Sequence, residues 1–121
     1  MYRVVLCVIL LLAGVAPAQE RPSQRLYVAS LIAFNAANVL DVTSSYGKRE
    51  LNPALSGSNG TFGIGSLGVK AGLVGAVDLF EALWVRRHPE RMRTTGRANF
   101  IMGAIVGGMA IHNYDVRSAP P

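Results

Sequence analysis

Residues 62–85 read FGIGSLGVKAGLVGAVDLFEALWV, a 24-residue stretch in which apolar and small side chains far outnumber the ionisable ones. A β-strand of this length is far outside the usual range of about 3–10 residues, so the stretch predicts a helix. Its repeated glycines would each weaken a water-exposed helix by about 1 kcal/mol, whereas in lipid glycine lets neighbouring helices approach closely. The stretch therefore predicts a transmembrane helix.

Two further apolar segments flank this stretch, at residues 26–45 and 98–114. Each is long enough for a helix and contains very few charged residues. The connecting residues 46–61 are rich in Gly, Ser, Asn and Pro, which is typical of a loop, and residues 86–97 carry five arginines. We predict an all-α fold: a small polytopic membrane protein with three transmembrane helices in a single domain, residues 19–121.

Residues 1–18 have the pattern of a secretory signal peptide. Arg3 supplies a positive charge, residues 4–13 form an apolar run, and residues 16–18 offer the small side chains that signal peptidase accepts. The run is shorter than the about 20 residues that cross a bilayer, although an uncleaved anchor remains the competing interpretation. The single cysteine, Cys7, lies inside this segment. Cleavage would therefore leave no disulfide and no cysteine-ligated zinc site.

The composition limits the function classes. The chain has 121 residues, a formal net charge of +5 and 50% apolar residues, which suits one domain and excludes a two-domain enzyme. Charged residues make up 16% of the chain, against about 25% in soluble domains. The sequence shows no nucleophile paired with a base. We therefore predict a protein that is not an enzyme and has no cofactor and no metal.

Two motifs resemble ligand-binding signatures but lack their context. Residues 63–68 spell G-x-G-x-x-G, yet a dinucleotide fingerprint needs a preceding strand, and residues 57–61 are loop-like. The arginine-rich residues 86–93 have no reading helix or interleaved aromatic side chains beside them. They predict a loop that faces lipid headgroups and no binding of nucleic acid. We expect Asp78 and Glu81, which precede this loop, to neutralise it.

Small residues predict where the helices pack. Gly68-x-x-x-Gly72 lies at the centre of a glycine face on the second helix, and Gly103-x-x-x-Gly107 repeats the spacing on the third. Four residues separate neighbours on one helical face, so each pair forms a flat surface that a second helix can approach. We predict close packing between these two helices.

Polar residues are predicted to gather on one membrane side. Consecutive spans alternate in direction, so the first helix ends, the second begins and the third ends at the same level. The residues at that level are Asp41, Ser44, Glu50, Asn52, Lys70, His112 and Asn113. At 1.5 Å per residue, Asp41 lies about 6 Å and Lys70 about 12 Å inside its helix, and the flexible lysine stem covers the difference. We predict an Asp41–Lys70 ion pair.

Glu50 or His112 would be the next partners of that ion pair. Two roles stay open for the cluster: a structural one, fixing helix register, and the binding of a ligand, an ion or a proton. A metal site built from Asp41, Glu50 and His112 is disfavoured, because one histidine with two carboxylates is a weak ligand signature.

The order of these motifs resembles a loose group of small bacterial membrane proteins of unknown function. The pattern is an acid with a nearby hydroxyl, then E-x-N-P, a lysine, R-R-H-P and a terminal H-N. In this chain it falls on Asp41 with Ser44, residues 50–53, Lys70, residues 86–89 and residues 112–113. Either Thr43 or Ser44 takes the hydroxyl position. The resemblance implies the architecture and the candidate positions, and no activity.

These observations favour a structural or accessory component of the bacterial inner membrane, which is not an enzyme. Its partners would be the lipid bilayer and either another membrane protein or a second copy of the chain. One alternative is a small ligand- or ion-binding or translocation module that uses the one-sided polar cluster. The other is a soluble periplasmic helical protein.

Two signals in the sequence predict opposite orientations of the chain in the membrane. A cleaved signal peptide places residue 19 outside the cell, and after two spans it also places the arginine-rich residues 86–97 outside. The positive-inside rule prefers the opposite orientation.

Overall fold

The computed structural model describes residues 21–50 and 52–115, so the predicted signal peptide lies outside the described residues. Three α-helices succeed one another along the chain: α1 spans Pro22–Ser45, α2 Ile64–Arg87 and α3 Met92–Asp115. A single 3-10 turn, Pro89–Arg91, joins α2 to α3, and the described residues contain no β-strand. The all-α prediction is confirmed for this part of the chain.

The helices differ from their predicted limits mainly at the second linker. Pro89 ends α2, because the residue before a proline avoids helical geometry, and His88 accordingly has φ −129° and ψ 66°. The predicted start of α3 at residue 98 was wrong, since the helix already begins at Met92. The segment between contains arginines and threonines that hydropathy excludes from a span, but no proline that would prevent a helix.

Helices α1 and α3 run side by side in the same direction. A Cβ atom added at Gly103 would lie 3.3 Å from the Cα atom of Phe34 in α1, and one at Gly107 would lie 3.9 Å from the Cβ atom of Ala37. At Gly96, one turn from the start of α3, an added Cβ atom would lie 3.2 Å from the Cα atom of Tyr27. Glycine therefore sets how closely these two backbones approach.

Helix α2 runs antiparallel to the other two and approaches them closely at few places. Nothing lies within 4 Å of a Cβ atom built at Gly68 or Gly72, so the predicted packing of the two glycine faces was wrong. The physical reason lies in α2 itself, where Lys70 and Glu81 occupy roughly the side opposite the glycines. Turning the ionisable side chains towards the other helices turns the glycines away.

The loop between α1 and α2 has a defined structure. The N–H of Gly47 donates to the carbonyl of Phe62 at 2.9 Å, and the N–H of Phe62 donates to the carbonyl of Lys48 at 2.9 Å. Gly47 and Gly60 both have φ of 75°, a conformation that side chains disfavour. The Phe62 ring is 2% exposed. These backbone hydrogen bonds hold the end of α1 close to the start of α2.

Polar and apolar side chains have an inverted distribution. In the helices the buried side chains are mostly small or polar, among them Ser30, Asn38, Ser44, Asn99 and Ala110. Large apolar side chains point outwards instead, including Ile32, Leu40, Leu73, Phe80, Ile101 and Ile111. By length and composition one helix of the described residues, Pro22–Ser45, qualifies as a candidate membrane span, because its most apolar 18-residue stretch has a mean hydropathy of 1.4.

Candidate functional site

The predicted polar cluster lies where α1 ends, α2 begins and α3 ends. Lys70 donates a hydrogen bond to Asp41 Oδ2, so the ion pair predicted from sequence is present. Each of the two side chains is 15% exposed. Asn113 Nδ2 donates to the other carboxylate oxygen, Asp41 Oδ1, at 3.3 Å. One residue from each of the three helices thus meets at the Asp41 carboxylate.

Asn113 connects this ion pair to the rest of the helix ends. Its Nδ2 also donates to Ser45 Oγ at 3.0 Å, and its backbone carbonyl accepts a hydrogen bond from the Lys48 ammonium. The Lys48 ammonium lies 5.9 Å from the centre of the Tyr114 ring, within the range of a cation–π contact. Tyr114 shares a hydrogen bond of 2.9 Å with Thr43 through the two hydroxyl groups.

Sequence reasoning missed Ser45 and Lys48 and left the hydroxyl position open. The buried Ser44 hydroxyl donates to the backbone carbonyl of Asp41 at 2.9 Å, within its own helix. Ser45 and Thr43 make the contacts to α3 instead. The parallel register of α1 and α3 is the signal that would have found them, because it places residues 43–45 opposite residues 113–114.

An open cleft of about 540 Å³ adjoins the ion pair. Glu50, Asn52 and His112 line it together with Asp41, Lys70 and Asn113. The Glu50 carboxylate accepts a hydrogen bond from the backbone N–H of Asn52 at 2.8 Å. Within the described residues neither Glu50 nor His112 makes a hydrogen bond to the Asp41–Lys70 pair, so they line its surroundings without being its partners.

The lining of the cleft is mixed. Charged groups of both signs lie beside the apolar side chains of Leu55 and Met109. No group of three or more His, Cys, Asp or Glu side chains in the described residues could hold a metal ion. The arrangement offers hydrogen bonds and charge.

A second polar layer lies deeper between the helices. Asn35 Nδ2 in α1 donates to Asp78 Oδ2 at 2.9 Å, and Asn99 Nδ2 in α3 donates to Glu81 Oε2 at 2.8 Å. The expectation that Asp78 and Glu81 neutralise the arginine-rich linker was therefore wrong. They lie about two turns (Glu81) and two and a half turns (Asp78) from the end of α2, and each accepts a hydrogen bond there from an asparagine amide of another helix.

The linker itself has a different acidic neighbour. Glu90 Oε1 lies 3.5 Å from Nδ1 of His88, and the centre of the His88 ring lies 4.3 Å from that of Trp84, in the last turn of α2, with the two rings tilted by 38°. Arg86 and Arg87 end α2, where positive side chains favour the negative end of the helix dipole. The first half of α1 and the start of α3 lie at this same end, which is therefore strongly basic.

Comparisons with family models, with curated proteins and with solved structures give no match to this chain. The resemblance to small bacterial membrane proteins accordingly stays a prediction. The function of the chain is therefore inferred from its own geometry.

Proposed function

We propose that this protein is an integral component of the bacterial inner membrane, with α1, α2 and α3 each crossing the bilayer, and that its role is structural or accessory and not enzymatic. The inverted distribution of side chains carries the proposal. A soluble monomer rarely exposes large continuous apolar surfaces, yet here Phe80 is 67% and Ile111 67% exposed while Asn99 is 4% exposed. An exposed apolar surface of this kind is compatible with lipid acyl chains as its surroundings.

The lengths of the helices agree with this placement. Each of the three contains 24 residues, which at 1.5 Å per residue is about 36 Å, enough for a hydrocarbon layer of about 30 Å. The alternating directions bring the ends of all three to two common levels.

By hydropathy alone, only α1 qualifies as a membrane span. The polar contacts of α2 support its placement in the membrane as well. Its interior ionisable groups each have a partner on another helix: Lys70 has Asp41, Asp78 has Asn35 and Glu81 has Asn99. Ionisable groups in membranes usually face the bundle interior and pair there. A hydropathy sum counts them as if each faced lipid.

Extraction of membranes with alkaline carbonate tests the proposal. The chain is expected to stay in the pellet, and release into the supernatant would support the soluble periplasmic alternative instead. A pair of reporter fusions, active on opposite membrane sides and joined at residues 88–91, decides the sidedness. A reporter active inside the cell supports the positive-inside orientation, and one active outside supports a cleaved signal peptide.

The cleft beside Asp41 favours a second candidate, a small binding or translocation module. Glu50 and His112 line the cleft without holding the helices together. Substituting these two residues therefore tests binding without disturbing the fold. In a strain lacking the protein, the variants Glu50→Gln and His112→Ala are expected to accumulate normally. If both variants restore the function that the deletion strain lacks, the structural role is supported. If a variant accumulates to the normal level but does not restore that function, the binding module is supported.

A further inference from the structure

The positive charge of the described residues is concentrated at one end of the three helices. Where α1 begins, α2 ends and α3 begins, residues 21–27 and 84–97 carry seven arginines and a single acid, Glu90. We call these residues the basic end. At the opposite end, residues 41–50, 52–70 and 112–115 carry three basic and three acidic side chains. An anionic partner is therefore attracted to the basic end and not to the other.

The chain itself does little to compensate the charge of the basic end. Six of its arginines are exposed and form no ion pair with another described residue: Arg21, Arg86, Arg87, Arg91, Arg93 and Arg97. Helix N-termini favour acidic side chains, yet neither α1 nor α3 has one in its first turn. The positive charge of these arginines is thus open to an anion from outside the chain.

The arginines of the basic end lie at neighbouring levels along the helices. A Cβ atom added at Gly96 of α3 would lie 3.2 Å from the Cα atom of Tyr27 in α1. Because α1 and α3 are parallel, this contact places Arg93 level with the first turn of α1 and Arg97 about one turn deeper. The three-residue turn Pro89–Arg91 keeps the end of α2 close to the start of α3.

Two of these arginines continue into exposed apolar side chains on the same helical face. In α3, Arg97 is followed at intervals of four residues by Ile101 and Ile105, which are 62% and 49% exposed. In α2, Arg87 is preceded at the same interval by Leu83, which is 49% exposed. Residues four apart lie on one face of a helix. Each face therefore changes from cationic at the helix end to apolar towards the middle.

We propose that the basic end binds anionic phospholipids, with the phosphate headgroup on the arginines and an acyl chain along the apolar part of the same helical face. A phospholipid has this same order of an anionic head and an apolar tail. All seven cations of the basic end are arginines, and a guanidinium group can donate two parallel hydrogen bonds to one phosphate.

The position of the basic end favours a lipid over other anionic partners. Trp84, in the last turn of α2, is 45% exposed, and tryptophan is enriched at the level where hydrocarbon meets the headgroups. A nucleic acid or an acidic protein could meet the arginines, but it would leave Leu83 and Ile101 without an apolar neighbour.

Thermal unfolding of the full chain in nonionic detergent, with lipid added, tests the proposal. Phosphatidylglycerol is expected to raise the melting temperature by several degrees in a saturable way. Phosphatidylcholine with the same acyl chains should need at least a fivefold higher concentration for half of that effect. The preference should weaken as NaCl is added, because salt screens exposed charges. Equal half-effect concentrations of the two lipids would overturn the proposal.

Two water-soluble anions separate a lipid site from a general anion site. Glycerol phosphate carries the anionic headgroup without acyl chains, and a single-stranded oligonucleotide carries many phosphates. Both are expected to change the melting temperature far less than phosphatidylglycerol does. A shift with either anion as large as that with phosphatidylglycerol would refute the lipid assignment.

Single-charge variants locate the effect. Arg97→Gln is expected to raise the half-effect concentration of phosphatidylglycerol about fivefold, as the loss of one cation near an anionic surface predicts. Adding Arg93→Gln should raise it further. Arg49→Gln removes the same charge from an exposed arginine at the opposite end and should leave that concentration unchanged. Equal effects of Arg97→Gln and Arg49→Gln would refute the site. The lipid preference of the unaltered chain decides the matter if a variant does not fold.

This inference rests on the proposed membrane placement, which fails in a different experiment. Release of the chain by carbonate would refute the membrane placement and, with it, the acyl-chain contact. A chain that stays in the pellet and shows no preference for phosphatidylglycerol would refute only the lipid site.

Discussion

Replacing Gly103 by leucine is expected to separate α1 from α3. The Cβ atom at this position would already lie 3.3 Å from the Cα atom of Phe34 and 3.5 Å from its backbone nitrogen. These are backbone atoms and cannot rotate away. A leucine adds three further carbons between the two helices, and overpacking of this kind costs about 1–3 kcal/mol.

Gly108 on the same helix is the matched control, because nothing lies within 4 Å of its Cβ position. Gly108→Leu gains helix propensity, worth up to about 1 kcal/mol, without a clash. The two variants should therefore differ by about 2 kcal/mol in the free energy of unfolding. Thermal unfolding in detergent measures the difference. Equal melting temperatures would mean that α3 does not pack on α1 through Gly103.

Three further predictions concern the polar cluster and the loop. Lys70→Met and Asp41→Asn should each destabilise the protein by about 1–3 kcal/mol, the cost of leaving one charge of a partly buried pair without its partner. The double variant should recover part of that loss, and purely additive losses in a double-mutant cycle would contradict the pairing. Asn113→Ala should cost about 1–3 kcal/mol through its two side-chain hydrogen bonds, and a melting temperature equal to wild type would exclude that role. Gly60→Ala should cost about 1–2 kcal/mol because the φ of Gly60 is 75°, and Gly65→Ala, where nothing lies within 4 Å, should cost less. Equal effects of these two alanine variants would argue against the loop geometry.

Much of the architecture can be predicted from sequence because it depends on local composition. The three apolar segments and the Gly-rich loop were predicted from hydropathy and turn residues, and the structure places a helix over each segment, although α3 begins six residues before its predicted start. The Asp41–Lys70 pair could be predicted because alternating helices bring their ends to one level. Depth along a helix is a simple product of residue number and rise.

The choice of helix partners could not be predicted in the same way. A glycine face predicts that some helix packs closely against it, but it does not identify that helix. Gly103 and Gly107 pack on α1, whereas Gly68 and Gly72 have open space beside them. The partners of Asp78 and Glu81 were missed for the same reason. An asparagine carries no charge that would identify it as the counterpart of a carboxylate.

The behaviour of the purified chain without detergent, expressed without the predicted signal peptide, is the most direct test of the inverted distribution of its side chains. If lipid surrounds the apolar outer surface, residues 19–121 should be helical and monodisperse in detergent or lipid and should aggregate once both are removed. Sedimentation and circular dichroism in matched buffers measure this. A folded, helical monomer in plain buffer would contradict the membrane placement of all three helices.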